Sequence, residues 1–351
     1  MFPNLNIDDF LYDIKNNKEM VLFLGTGTDI SYIYPKSYNY IKRKNNRHIL
    51  NWDNLLNELV GAACVSKEEG AAIKTLSSSP MKAAILKNIL GNSYIPVIQS
   101  WLYSRCNFEI LEASYPYFKQ YKDNPSVENL SKVPFATLFI LADLILRQTS
   151  IKCVVTQNYN NFISDAINIL LENSSSLEYR DRRGIKAVDV YDGWRDEPFT
   201  ENTFFIYHVH GYIPPYNEIK PRPESNHIVL SDEEFYQLSR DVYSWQNSSQ
   251  IYFLTHYTCL FIGLSMEDLT SLRLIRHAKL DRSSERVYWL RGNDGINPND
   301  DPLKREIGTI KFRYLSDYFT TQNICVVNGM SYNYLYNEIY NTLNEKGVAN
   351  E

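Results

Sequence analysis

Along the chain, short apolar runs that stop abruptly at polar residues alternate with stretches of helical spacing. Met20 to Leu24 is wholly apolar and ends in Gly25-Thr26-Gly27-Thr28-Asp29. Ile151 to Val155, Phe204 to Val209, Cys259 to Ile262, Arg286 to Leu290 and Ile324 to Val327 repeat that form. Such runs suit strands buried on both faces of a parallel sheet. Ile7 to Asn16 sets Phe10, Leu11 and Ile14 on one helical face, and from Asn51 to Val60 the residues Trp52, Leu55, Leu56 and Leu59 do the same. Further helices are predicted from about Tyr159 to Leu171 and from about Tyr332 to Leu343. Ser231-Asp232-Glu233-Glu234 fits a capping box, and Ser265-Met266-Glu267-Asp268 is a looser version. Between the first two strands only helical patterns occur, broken at Ser77-Ser78-Ser79-Pro80 and at Asp123-Asn124-Pro125. The prediction is an α/β protein with a Rossmann-like, doubly wound parallel sheet. One domain is expected over 1–351, its core at about 19–31 and 151–345, with a helical insertion at about 52–150.

Composition narrows the class. The chain has 351 residues, 44% of them hydrophobic and 22% charged, as in an ordinary globular protein. A net charge of -5 argues against a dedicated nucleic-acid binder. The 27 tyrosines suggest rings buried with their polar tips at cavities or interfaces. Cys64, Cys106, Cys153, Cys259 and Cys325 are scattered and odd in number, so neither a disulfide framework nor a cysteine zinc site is expected. Met1 to Lys18 is amphipathic and slightly acidic, unlike a signal peptide. The longest apolar stretch, Pro134 to Leu146, carries Asp143 and is too short to span a bilayer. A cytoplasmic protein without membrane contact is the expectation.

Candidate chemistry lies where the strands end. Gly25-Thr26-Gly27 allows a tight turn whose backbone N–H groups could meet a phosphate, or it is plain strand-to-loop geometry. Neither the full dinucleotide fingerprint nor a P-loop lysine follows. Asn158 can orient a ribose hydroxyl or a water, or cap a helix starting near Tyr159. His208 and His210 share a face if their strand stays regular, which raises a metal reading, but no third ligand sits at a convincing spacing. His210, at the strand end beside Gly211, reads as a general base or as a satisfied structural histidine. Phe261 to Asp268 repeats the strand, glycine and cap theme. Pro214 to Pro223 is a candidate lid, and Lys42-Arg43-Lys44 with Arg47 reads as a solvated loop.

In order, these segments resemble the Sir2 family, and more narrowly the Sir2-like domains of bacterial anti-phage defence proteins. Gly25-Thr26-Gly27-Thr28-Asp29 resembles the GAGxS loop, and Asn51 to Leu56 the W-x-x-L-L helix start. Thr156-Gln157-Asn158-Tyr159-Asn160 resembles TxNYD, Tyr207 to Gly211 resembles YxxHG, and Ile228 to Ser231 with Phe261 to Asp268 completes the series. Three departures stand out: Thr26 replaces alanine, Asp29 replaces serine with Ser31 two places later, and Asn160 replaces aspartate. The four-cysteine zinc ribbon of deacetylating sirtuins is missing as well.

The resemblance implies NAD as substrate, with no metal. Gly25, Thr26, Gly27, Thr28, Asp29, Ser31, Gln157, Gly263, Ser265 and Asp268 would hold it, and Asn158 and His210 would flank the nicotinamide ribose as the catalytic pair. It implies hydrolysis of the nicotinamide–ribose bond, depleting NAD in an abortive, antiviral response. Control would come from homo-oligomer assembly or from a partner such as an ATPase or a phage protein. An NAD-sensing module without turnover and an NAD-dependent lysine deacylase are the alternatives.

Overall fold

The computed structural model describes residues 7–16, 18–29, 52–104, 106–174, 178–179, 181, 184–191, 202–216, 228–266, 269–280, 286–291, 301–328 and 332–348. Helix α1 (Ile7–Lys15) and strand β1 (Met20–Leu24) come first. The helical insertion follows as α2 (Trp52–Ala62), α3 (Lys67–Thr75), α4 (Ser79–Leu90), α5 (Tyr94–Tyr103), α6 (Phe108–Asp123), α7 (Val127–Leu130) and α8 (Ala136–Arg147). The chain continues with β2 (Ile151–Thr156), α9 (Phe162–Asn173), β3 (Lys186–Val190), β4 (Thr203–His208), α10 (Asp232–Arg240) and α11 (Trp245–His256). It then runs through β5 (Thr258–Ile262), α12 (Leu269–Leu280), β6 (Val287–Arg291), α13 (Pro302–Thr321), β7 (Ile324–Asn328) and α14 (Tyr332–Val348).

The strands form a single sheet in the order β3-β4-β2-β1-β5-β6-β7, and every adjacent pair is parallel. Helices cover both faces, giving the predicted α/β architecture. From β1 the chain builds outward through β2 to β4 and β3, then returns to the other side of β1 for β5, β6 and β7. Winding reverses at β1, so the carboxyl ends of β1, β2 and β5 border the crevice where ligands bind in such sheets.

Alternation of side chains into two cores explains why the central strands are mainly apolar, Lys152 of β2 being an exposed exception. Met20, Leu22 and Leu24 enter one core together with Leu55, Leu138, Phe162 and Leu335 from helices. Val21 and Phe23 enter the other, with Leu254, Ile275 and Phe319. Phe23 stacks on Phe261 of the neighbouring strand at 4.5 Å between ring centres.

The apolar stretch ending at Leu146 is α8, a helix with every residue from Thr137 to Leu146 buried. Its Asp143 is held by Arg147 Nε at 2.7 Å and by the Tyr179 hydroxyl at 2.6 Å, with Lys122 Nζ 3.4 Å away. A buried charge paired in this way avoids most of its desolvation penalty. No helix among the described residues is long and apolar enough to cross a membrane.

Three elements lie outside the sequence expectations: β3, α11 and α13. The helix expected from about Tyr159 begins at Phe162 instead, because residues 157–161 form the loop that carries the site. Ser231 caps α10 in a reciprocal box with Glu234, as its spacing predicts. Ser31, Glu267, Asp268, the basic cluster from Lys42 to Arg47 and most of the candidate lid lie outside the described residues.

Candidate active site

Three glycines hold the crevice closed at its back. Gly25 N–H donates to Ile262 O at 3.0 Å, Gly27 N–H to Gly263 O at 2.9 Å, and Thr28 N–H to Gly25 O at 3.0 Å. The turn after β1 therefore lies directly on the turn after β5. A Cβ on Gly27 would fall 2.6 Å from Gly263 Cα, and one on Gly25 2.6 Å from Gly263 O. Gly263 has φ +68°, and its own Cβ would fall 2.5 Å from Thr28 N. Glycine is required here for two backbones to meet. Those three N–H groups are engaged within the protein, so an anion at this turn must use other donors. Gly263→Ala is expected to cost about 2 kcal/mol or more, from left-handed strain plus the clash. Urea denaturation of the variant checks this.

Asn158 sits on that foundation with its amide almost fully committed. Its N–H donates to Thr156 Oγ1 at 3.0 Å, and its C=O lies 2.9 Å from His208 Nδ1. Its Nδ2 donates to Gly25 O at 3.1 Å and to Thr28 Oγ1 at 3.2 Å. Oδ1 is buried and has no partner. Asn158 therefore does not cap α9. The cap-like bond comes from Asn160, whose Oδ1 accepts from Phe162 N–H at 3.2 Å.

A narrow cleft opens at this point, lined by Thr26, Asp29, Trp52, Leu55, Trp101, Leu102, Asn158, Tyr159 and Asn160. Aromatic rings from the insertion form one wall and the strand-end loops form the other. Asp29 is buried, with 2% of its surface exposed. Its Oδ2 accepts from Asn160 Nδ2 at 2.7 Å, and Thr28 Oγ1 lies 3.2 Å from Oδ1. Burial pushes its carboxyl up to about 7, against the opposing pull of the bonds from Asn160, Thr28 and Asn158 and of the nearby His208.

The two histidines of β4 have separate fates. The strand ends at His208 and the chain turns, so the regular alternation that would set both on one face does not continue. His208 is fully buried, between Asn158 O and Asp189 Oδ1, the latter 2.7 Å from Nε2. Asp189, on the unanticipated β3, also accepts from Ser164 Oγ at 2.8 Å. With both ring nitrogens engaged, His208 is a positioning residue for the Asn158 loop. Among the described residues no group of three or more His, Cys, Asp or Glu is arranged to hold a metal ion.

His210 is 5% exposed and meets the ring of Phe235 edge-on at 5.5 Å; Phe235 in turn lies 6.2 Å from Trp52 of the cleft wall. His210 is itself not among the lining residues. Its carbonyl accepts from Val229 N–H at 2.8 Å, and the Tyr159 hydroxyl donates to Val229 O at 2.8 Å. These bonds fasten the turn after β4 to the cleft floor. Gln157 points away, its Nε2 donating to Ser271 Oγ at 2.9 Å, and Ser265 is exposed beyond the Gly263 turn.

The sequence carried no expectation for the cleft walls at Trp101 and Leu102, nor for Asp189. Trp52 carried a signal in its helix-start pattern; Trp101 carried none, since it lies within a helix distant in sequence from every strand end.

A parallel, doubly wound sheet with a cleft at its winding reversal is the arrangement in which open α/β proteins bind ligands. Residues 152–319, just under half of the chain, match the model of a SIR2-like domain. No curated protein matches the chain. The matched segment contains Asn158, His210 and Gly263, while the Gly25 turn and the insertion lie outside it. Sir2-like domains use NAD, so the match directs the reading of this site toward NAD-related chemistry.

Proposed function

We propose that the protein is an NAD glycohydrolase that cleaves the nicotinamide–ribose bond. The observation that carries the proposal is the unpartnered Oδ1 of Asn158, buried at the cleft and held by four contacts through the rest of the residue. An acceptor fixed so firmly is matched to a donor on a ligand, because leaving it unsatisfied is costly. A ribose hydroxyl or an attacking water supplies that donor. Trp52, Trp101 and Tyr159 supply the faces against which the flat nicotinamide ring would pack.

In the reaction, the bonding pair between C1′ and the pyridinium nitrogen leaves with the ring, which becomes neutral nicotinamide. The ribose passes through an oxocarbenium-like state, as in glycoside cleavage generally. Water adds to C1′, and its proton goes to a base. We assign that base to His210, next to Gly211. A missing zinc ribbon and a bulky insertion favour water over an acyl-lysine as acceptor.

The second reading is a module that binds NAD or ADP-ribose without turnover. The packing of His210 behind Phe235, outside the lining of the cleft, favours it. We further propose control by assembly, through self-association or a defence partner, since unregulated NAD loss would harm the host cell. Incubating purified protein with NAD across protein concentrations, with chromatographic detection of nicotinamide and ADP-ribose, tests all of this. The proposal expects both products, a rate per molecule that rises with concentration, and none with His210→Ala. Stoichiometric binding without products selects the second reading.

A further inference from the structure

Asp29 is the one group of the cleft whose chemistry the hydrolytic reading leaves unused. We propose that Asp29 is a counter-charge that makes the cleft select a cationic aromatic ring, an N-substituted pyridinium carboxamide, over its neutral counterpart. The inference rests on the reading of the cleft as a nicotinamide-ribose site and names what that site discriminates.

The carboxyl is buried, lines the cleft, and among the described residues forms no ion pair with a lysine or arginine. Its hydrogen-bonding neighbours are neutral: Asn160, Thr28 and Asn158. The ionisable groups that bear on it are His208 on β4 and Cys106 after α5; burial, Asp29 and Asp165 all push the Cys106 thiol up, so it stays neutral. The cleft thus has an acidic floor that, among the described residues, no lysine or arginine neutralises, and the aromatic walls Trp52, Trp101 and Tyr159. Both features attract a positive planar ring, the floor by Coulomb attraction and the walls by cation–π contact. An ionised Asp29 is also an acceptor for an N–H of the ring's primary amide, leaving Asn158 Oδ1 to the ribose hydroxyl or water. After the bond breaks the ring is neutral, the attraction is lost, and the product leaves more readily than the substrate.

The attraction requires ionised Asp29, whose proton leaves near pH 7. Affinity for a cation then follows the ionised fraction and rises about tenfold from pH 6 to pH 8. A neutral ring has no such dependence. The test is calorimetric titration of the full chain with 1-methylnicotinamide, a permanent cation, and with nicotinamide, at pH 6, 7 and 8. The expected results are the tenfold rise for the cation alone and its loss in Asp29→Asn. Wild-type protein in buffers of different ionisation enthalpy gives a second measure, about half a proton released per cation bound at pH 7. That measure holds even where Asp29→Asn does not fold. Equal pH response for both probes, persistence of the rise in Asp29→Asn, or failure to bind the cation overturns the inference. NAD turnover measured in parallel keeps the two readings apart: cleavage without cation selectivity removes the role of Asp29 alone, and selectivity without cleavage removes the hydrolase.

Discussion

Replacing Asn158 with alanine is expected to reduce nicotinamide release from NAD at least 10²-fold, the scale typical of losing one preorganised polar group at a reacting centre. The argument depends on rigidity as much as on contact. Asn158 is held by Thr156 Oγ1, His208, Gly25 O and Thr28 Oγ1, so its Oδ1 is already positioned before any ligand arrives. Positioning of this kind lowers the entropy cost of the reaction. The same contacts mean the variant also loses stability, by about 1–3 kcal/mol, because Nδ2 joins the Gly25 turn to β2. Activity must therefore be compared well below the melting transition, with circular dichroism showing the variant folded. Full nicotinamide release by folded Asn158→Ala would falsify the assignment.

Much of the fold was legible because burial on both faces leaves an unmistakable pattern. The strands at Met20, Ile151 and Cys259 are central, so they are mainly apolar on both faces, with Lys152 an exposed exception at the start of its strand. β3 escaped notice for the converse reason. It is an edge strand that pairs only with β4, and Lys186 and Asp189 interrupt its apolar content. α13 went unassigned although Leu303, Ile307, Ile310, Tyr314 and Tyr318 recur at helical spacing; that stripe is exposed rather than packed in the core. The pair Asp301-Pro302 was a second signal, as N-cap and first helical residue.

The site was legible only in part. Strand ends marked Asn158 and the two glycine turns, because polar residues after apolar runs sit at the rim of such a sheet. What linear reading could not supply was which groups share a volume. Gly25 and Gly263 are more than two hundred positions apart, and their contact explains both glycines without a ligand. His208 and His210 looked equivalent by spacing, yet the end of β4 falls between them. Trp101 and Asp29 meet across the cleft only through packing of the insertion against the sheet.

Asp29→Asn is expected to stabilise the protein above neutrality by an amount on the order of 4 kcal/mol, and to have little effect near pH 4. Burial raises the folded-state carboxyl from 3.8 to about 7. Below 3.8 the group is protonated in both states and contributes nothing to the difference. Between 3.8 and 7 the unfolded chain ionises while the folded one stays protonated, so wild-type stability falls with each unit of pH. Above 7 both are ionised and the penalty is constant. Asparagine keeps the shape and carries no charge, so the gap between variant and wild type should open across that window and then level off. Urea denaturation of both proteins at pH 4.5, 6 and 8 measures it; a gap that does not change with pH rules out a buried titrating carboxyl. A group this costly at the floor of a cleft, unpaired by any lysine or arginine among the described residues, is hard to explain by folding. Function explains it better, since stability surrendered at an active site is commonly exchanged for chemistry there.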